Sequence, residues 1–253
     1  MPSSPENLDD YELLPSGPQV ADQEPQKITM GIEEQLEKAE GRNGDTIAGY
    51  AALSASVITL VVTWFVILTN NPSKVGFFLL HPTLESLAML LITYAIMTLQ
   101  PTSQPRTKAA GFSRHQSAVL YLGFPALIVG VFAIIMNKIQ LEKRHFRSWH
   151  SVLGITATAW IVFQICLGGA SVWFGGKALG GGMKAKRVWK YHRLSGYILY
   201  SLLLLTVGLG GALSHWGEKN VPFPVRLTAY VLSPLVCLVA ILSRMRVSKM
   251  KFF

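Results

Sequence analysis

Six apolar stretches, at about residues 47–69, 78–99, 115–136, 150–174, 192–213 and 225–243, dictate what this chain can fold into. Each is close to the roughly 20 residues that an α-helix needs to cross a hydrocarbon core. Together they hold one carboxylate, Glu85, and almost no other charge. In lipid, backbone polar groups must be satisfied within a helix or around a closed barrel. Barrel strands would be half as long and would alternate in polarity. The expected class is therefore an all-α membrane protein with six transmembrane helices. Composition points the same way: 50% of the residues are hydrophobic, only 15% are charged and the mean hydropathy is +0.36. An average soluble domain is roughly 25% charged, so an ordinary soluble enzyme is excluded. The net charge of +9 does not indicate nucleic acid either. The basic residues sit in short segments between apolar runs, which is the arrangement of membrane loops.

The chain divides into a polar tail at 1–46, a membrane domain at 47–243 and a short basic tail at 244–253. The first tail is acidic and broken by Pro2, Pro5, Pro15, Pro18 and Pro25. It cannot bury a core and is expected to be disordered; Ile32–Lys38 has the composition of a short helix but reads as solvated tail. No apolar run lies near Met1, so the first span is expected to serve as the insertion signal in place of a cleaved peptide. Pro125 and Pro234 fall inside spans three and six and predict kinks there. Cys166 and Cys237 both lie in apolar runs, which argues against a disulfide framework or a cysteine zinc site.

Lysine and arginine placement orients the chain. With the N-terminus cytoplasmic, that side holds Arg106, Lys108, Arg114, Lys177, Lys184, Lys186, Arg187, Lys190 and Arg193, and the C-terminal tail adds Arg244, Arg246, Lys249 and Lys251. The other side holds Lys74, Lys138, Lys143, Arg144, Arg147, Lys219 and Arg226. Both termini are thus expected in the cytoplasm, with the Lys143, Arg144, Arg147 cluster as the exception.

Histidine placement carries the chemistry. His81, His115, His150 and His192 each stand at the N-terminal edge of a span, in spans two to five. Successive helices run in opposite directions, so His81 and His150 share one membrane face and His115 and His192 the other. Two facing imidazoles from neighbouring helices are the axial ligands of a six-coordinate b-type haem. One interfacial histidine could simply cap a helix or meet headgroups; four in consecutive spans at equivalent depth are hard to assign to chance. Gly154 and Gly196 follow His150 and His192 by one turn on the same face, where a missing side chain would let a porphyrin lie against the helix. The expectation is two haem b groups. They would be held non-covalently, because no Cys-x-x-Cys-His attachment motif is present.

At these residues the chain resembles the cytochrome b-561 family, in particular its cytochrome b-561 domain-containing branch. The matching stretches are His81-Pro82-Thr83-Leu84, Ser113-Arg114-His115, His145-Phe146-Arg147-Ser148-Trp149-His150-Ser151-Val152-Leu153-Gly154 and Lys190-Tyr191-His192-Arg193-Leu194-Ser195-Gly196-Tyr197. The resemblance spans about residues 47–243. It implies a six-helix fold whose central four helices, spans two to five, hold two bis-histidine haems. It also implies electron transfer across the membrane, from cytoplasmic ascorbate to monodehydroascorbate or ferric iron on the other side. One departure bears on the donor. Ascorbate-using members carry a basic motif late in span two, where this chain reads Leu91-Ile92-Thr93-Tyr94-Ala95-Ile96-Met97-Thr98-Leu99 with no arginine.

The remaining polar residues divide between site and surface. Arg114, Lys108 and Lys190 lie close in sequence to the cytoplasmic histidines and are the expected contacts for anionic ascorbate. His145 lies five residues before His150, on a different side of a continuous helix, and is the expected loop contact for an acceptor or proton carrier. Glu85, one turn after His81, is an intramembrane acid and hence a functional candidate. His215 reads as a loop residue. The run Gly175–Gly182 lacks Walker spacing and follows a membrane helix, so it is expected to be a flexible linker. The basic residues after it would meet anionic lipid. Asp9-Asp10-Tyr11-Glu12-Leu13-Leu14 resembles an acidic dileucine signal and suggests an endomembrane or vacuolar address. A homodimer is left open. The rival readings are a haem-binding scaffold or sensor that does not turn over, and a six-span transporter. The transporter would need polar groups or broken helices at the midplane.

Overall fold

A computed structural model describes residues 40–70, 76–100 and 104–250. Most of the N-terminal tail, with the Asp9–Leu14 pattern and the Ile32–Lys38 segment, lies outside these residues, as do Lys74 and Lys251. The described residues are helical, with no strand among them, and six helices are long and apolar enough to cross a membrane. They are α1 (Asp45–Thr69), α2 (Gly76–Leu99), α3 (Pro105–Gln140), α4 (Trp149–Leu179), α5 (Gly182–Gly211) and α6 (Phe223–Arg244). The protein is an all-α, multi-pass integral membrane protein. Outward-facing Phe65, Phe132, Phe163 and Val239 are all exposed, an apolar surface that suits lipid.

Local chemistry explains the ends. α3 opens with Pro105, whose missing N–H costs nothing at a first helical turn. Ser148 caps α4: its Oγ accepts from the Ser151 N–H, and the Ser151 hydroxyl oxygen accepts from the Ser148 N–H. Pro125 and Pro234 are accommodated by wider turns. Each follows a π-helical segment, Ser117–Gly123 in α3 and Thr228–Leu232 in α6, which absorbs the break a proline makes in the ladder. The Thr228 carbonyl accepts both the Ser233 N–H and, at 2.9 Å, the Ser233 hydroxyl, and the Ala229 carbonyl, five residues before Pro234, accepts from Thr59 at 2.8 Å.

The run expected to be a linker is instead ordered. Trp173–Leu179 and Gly182–Lys186 are short helical turns. Phe174, Gly175 and Gly176 in succession are left-handed, with φ of 53°, 67° and 70°. Only Phe174 of these carries a Cβ, so the glycines are what make the reversal cheap.

Packing is pairwise. α1 lies against α2 and α6, α2 against α3, and α4 against α5, while few close backbone approaches join the α2–α3 pair to the α4–α5 pair. Small and polar side chains hold the flank together, as expected where lipid removes the hydrophobic drive between helices. Ser56 of α1 donates to Thr93 of α2 at 3.2 Å and lies 3.4 Å from Cys237 of α6, and Thr93 pairs with the fully buried Tyr200 of α5 at 2.8 Å. Below this cluster, Thr59 donates to the Ala229 carbonyl and Thr63 pairs with the Tyr230 hydroxyl.

At the face where α1 begins, a buried arginine ties three helix ends. Arg244 donates to the carbonyls of Asp45 (2.5 Å), Met97 (2.7 Å) and Gln100. Arg246 pairs with the buried Asp45 carboxylate at 2.6 Å. Gly49 leaves room for the Arg244 guanidinium. The sequence had offered Arg244 and Arg246 only as charges that orient the chain.

Candidate functional site

The antiparallel course of α2 to α5 brings the four span-edge histidines together in two pairs, one at each membrane face. At the face where α1 ends, hereafter the distal face, the rings of His81 and His150 have centroids 5.9 Å apart and planes at 73°. At the face where α1 begins, the N-terminal face, His115 and His192 have centroids 6.4 Å apart and planes at 89°.

These separations can be compared with what a shared metal would require. Two metal–imidazole bonds of about 2 Å, with each ring centre roughly 1.1 Å beyond its nitrogen, put the centres about 6.2 Å apart. Both pairs lie within a few tenths of an ångström of that. Two histidines cannot satisfy a bare zinc ion, which takes four ligands, and among the described residues no group of three or more His, Cys, Asp or Glu could hold a metal ion. A porphyrin supplies its own four equatorial nitrogens and asks the protein for two axial imidazoles. The donor set therefore fits a haem and does not fit a bare ion.

Backbone carbonyls orient the rings. His81 Nδ1 lies 3.1 Å from the Gly130 oxygen and His150 Nδ1 lies 2.9 Å from the Thr206 oxygen. A carbonyl only accepts, so each of these rings carries its proton on Nδ1 and keeps the Nε2 lone pair free for a ligand bond. In the other pair, the carbonyls of Ala95 and Gln164 lie beside His115 and His192. There the buried Nδ1 atoms meet no partner in hydrogen-bond geometry.

Glycines on the facing helix make the cradle. A Cβ at Gly210 would lie 2.6 Å from His150 Cε1, and one at Gly168 would lie 2.9 Å from His192 Cε1. The arrangement is reciprocal between α4 and α5. Gly168 follows His150 by 18 residues, and Gly210 follows His192 by the same 18. That is five turns, about 27 Å at 1.5 Å per residue, close to the thickness of a hydrocarbon core. Each helix thus offers a ring at one face and a ring-sized gap at the other. Gly154 and Gly196, the glycines that the sequence singled out, serve a different contact. A Cβ at Gly154 would touch the Thr206 methyl at 3.6 Å, and one at Gly196 would crowd Gln164 Nε2 at 3.0 Å. They ease the packing of α4 on α5, where Trp160 donates to the Ser195 hydroxyl at 2.8 Å and Gln164 donates to the His192 carbonyl at 2.8 Å. Gly168, Gly210 and the carbonyl of Thr206 were missed; the equal 18-residue spacings are the signal that would have found the two glycines.

The charged candidates are more loosely placed. Arg114 reaches the Thr98 carbonyl at 3.3 Å, near the C-terminal end of α2. Lys190 lies over the Tyr191 ring, 5.3 Å from its centroid. Lys108 is half-buried on the first turn of α3. His145 is exposed in the loop between α3 and α4, with its ring 6.0 Å from that of Phe146. Glu85 sits beside His81, with Oε1 3.7 Å from Nδ1.

Comparison with known proteins bears on this arrangement. Residues 80–217 match the family described as eukaryotic cytochrome b561. Transmembrane reductase CYB561D2 of Bos taurus is 30% identical over 202 residues, covering 79% of this chain and 87% of the relative. The protein of the same name in Homo sapiens is 30% identical over 160 residues, covering 62% of this chain and 70% of the relative.

Proposed function

The chain belongs to the cytochrome b561 family, a family of haem b proteins, and we propose that in this protein His81 with His150, and His115 with His192, each ligate one haem b. Membership makes the protein an oxidoreductase that transfers electrons across a membrane. The reading goes further in naming donor and acceptor. Electrons enter at the N-terminal face from ascorbate and leave at the distal face to monodehydroascorbate or a ferric chelate, with both termini in the cytoplasm. The observation that carries the haem assignment is the ring spacing of 5.9 and 6.4 Å in two pairs at opposite faces.

Bound at such pairs, haem supplies a one-electron couple that needs no substrate bond to form or break. The chain's own residues do the rest. The Gly130 and Thr206 carbonyls hold the Nδ1 protons of the distal pair, so those rings present a fixed edge. Gly168 and Gly210 admit the rings between helices without pushing α4 from α5. Buried Ile92, Leu127, Ile161 and Leu203 keep water from the space between the faces, and that low dielectric confines charge to the two ends. Arg114, Lys108 and Lys190 offer cations to an anionic donor at the N-terminal face, and His145 stands in the loop at the acceptor's side. An electron leaving a negative cytoplasm gains about 2.3 kcal/mol per 100 mV of membrane potential, so outward transfer needs no nucleotide. The dileucine pattern supports an endomembrane address, such as a vacuolar membrane.

A pyridine haemochrome assay on the purified protein tests the cofactor reading, with two extractable haems per polypeptide expected. Vesicles carrying the protein in one orientation test the direction: ascorbate on the tail side should reduce a ferric chelate on the other. One haem or none sinks the ligand assignment; two haems that ascorbate cannot reduce sink the donor alone.

A further inference from the structure

Apart from Asp45 at the first residue of α1, Glu85 is the only carboxylate within the six spans. An ionisable group in that setting is costly and calls for a reason. Its surroundings supply one. Oε1 is buried and has no hydrogen-bond partner. It lies 3.7 Å from His81 Nδ1, while that nitrogen is engaged by the Gly130 carbonyl at 3.1 Å. Gly130 also makes the space the carboxyl occupies: a Cβ there would stand 2.7 Å from Oε1 and 3.3 Å from the carboxyl carbon. One glycine of α3 thus seats both the ring and the acid of α2. The other three histidines have no counterpart, for the residues one turn on are Val119, Gly154 and Gly196.

Resting on the haem assignment above, we propose that Glu85 is a positioning residue for His81 that sets the reduction potential of the distal site. At 3.7 Å the contact is too long for a hydrogen bond, so the effect is electrostatic and local. Unshared oxygen lone pairs against the Nδ1–H edge favour whichever oxidation state places more positive charge on the ring and its metal. That is the ferric state, and the potential of the distal site is lowered. Lys138 is near enough to act on both His81 and His150, whereas the Glu85 carboxyl lies against the His81 ring. The acid makes the distal haem the more reducing of what its two histidines would otherwise give, which favours passing the electron on to an acceptor at that face.

The test uses the full-length protein purified in detergent. Haem per polypeptide, an equilibrium redox titration followed in the α-band, and the low-spin ferric EPR signals are measured for wild type, Glu85→Leu, Glu85→Asp and Gly130→Ala. The distal component is identified as the one lost in His150→Ala. Glu85→Leu, which removes the oxygens, should keep both haems, raise the midpoint of the distal component and shift its EPR signal, with the other haem unmoved. Gly130→Ala, which displaces the carboxyl without removing it, should move the same midpoint in the same direction, and Glu85→Asp should fall between. An unchanged distal midpoint and signal in Glu85→Leu with both haems bound overturns the proposal. Should Glu85→Leu shed the distal haem, Glu85→Asp decides: a wild-type midpoint in that variant overturns it and a raised one supports it. Wild-type protein without haem is a different result, which removes the ligand assignment and this inference with it.

Discussion

The two histidine pairs use the same residue type at the same depth, yet they are built differently. At the distal face, both Nδ1 atoms are tied to carbonyls, and an acid lies against one ring. At the N-terminal face, the buried Nδ1 atoms of His115 and His192 meet no partner in hydrogen-bond geometry. There the neighbouring polar groups serve the fold: Arg244 binds three carbonyls, Arg246 pairs with Asp45, and Gln100 donates to the Tyr197 hydroxyl. One pair is held by its own hydrogen bonds, the other by a braced scaffold around it. Identical ligands can be given different potentials in this way, which is what a directional relay across a membrane requires.

The largest effect should come from the ligands themselves. His150→Ala should remove one of two haems and leave the component assigned to His115 and His192, and His192→Ala should do the reverse. If His150→Ala and His115→Ala produced the same spectral loss, with His81→Ala different, the pairing would be wrong.

A second break is steric. Gly210→Val and Gly168→Val should each lower occupancy of the site whose ring they would strike by tenfold or more, a cost of about 1.4 kcal/mol or above. Gly210→Val should affect the distal component and Gly168→Val the other, measured as haem per polypeptide on reconstitution. The distal effect should be larger, because the contact at Gly210 is closer, 2.6 against 2.9 Å. Gly154→Ala, which meets only a methyl at 3.6 Å, should leave both haems in place.

Bracing can be tested apart from ligation. Arg244→Met leaves the Asp45, Met97 and Gln100 carbonyls without their donor and should cost ~3 kcal/mol of stability. Thermal unfolding in detergent should show it, with both haems still bound below the transition. If the distal component is released first on heating, the N-terminal face does not depend on this clamp.

The smallest expected effect concerns the donor. Neutralising Arg114 and Lys190 together should slow reduction by ascorbate several-fold at 10 mM salt and little at physiological salt, since the Debye length falls from about 30 to about 8 Å. Dithionite reduction and haem content should not change. An equal loss at both ionic strengths would show that these side chains do not act through charge.

Much of this was legible before any coordinates. Charge-free runs of membrane length leave the backbone no choice but helix, and antiparallel succession then assigns His81 with His150 and His115 with His192 to common faces. Periodicity along single helices could not say what lies across from a residue. That is why Gly154 and Gly196, neighbours of the ligands in sequence, drew the attention that belongs to Gly210 and Gly168, five turns away on the partner helix. Likewise Pro125 and Pro234 announced a disturbed ladder, but not that π-helical turns would absorb it. Nor did composition reveal that Gly175–Gly182 forms helical turns, because what fixes the reversal is the seating of buried Gly176 against Ala185 and the Ser171 carbonyl.

What the sequence alone determined is the helical class, the number of spans and the membrane face of each histidine, because these follow from one-dimensional patterns set against the thickness of a bilayer. Tertiary structure decided the rest: which carbonyls orient the distal rings, which glycines admit a ring, and why Arg244 and the Oε1 of Glu85 are buried. Those are properties of contacts between helices whose register the chain does not write locally, and they arise only when close packing brings residues some 50 to 200 positions apart within a few ångströms of each other.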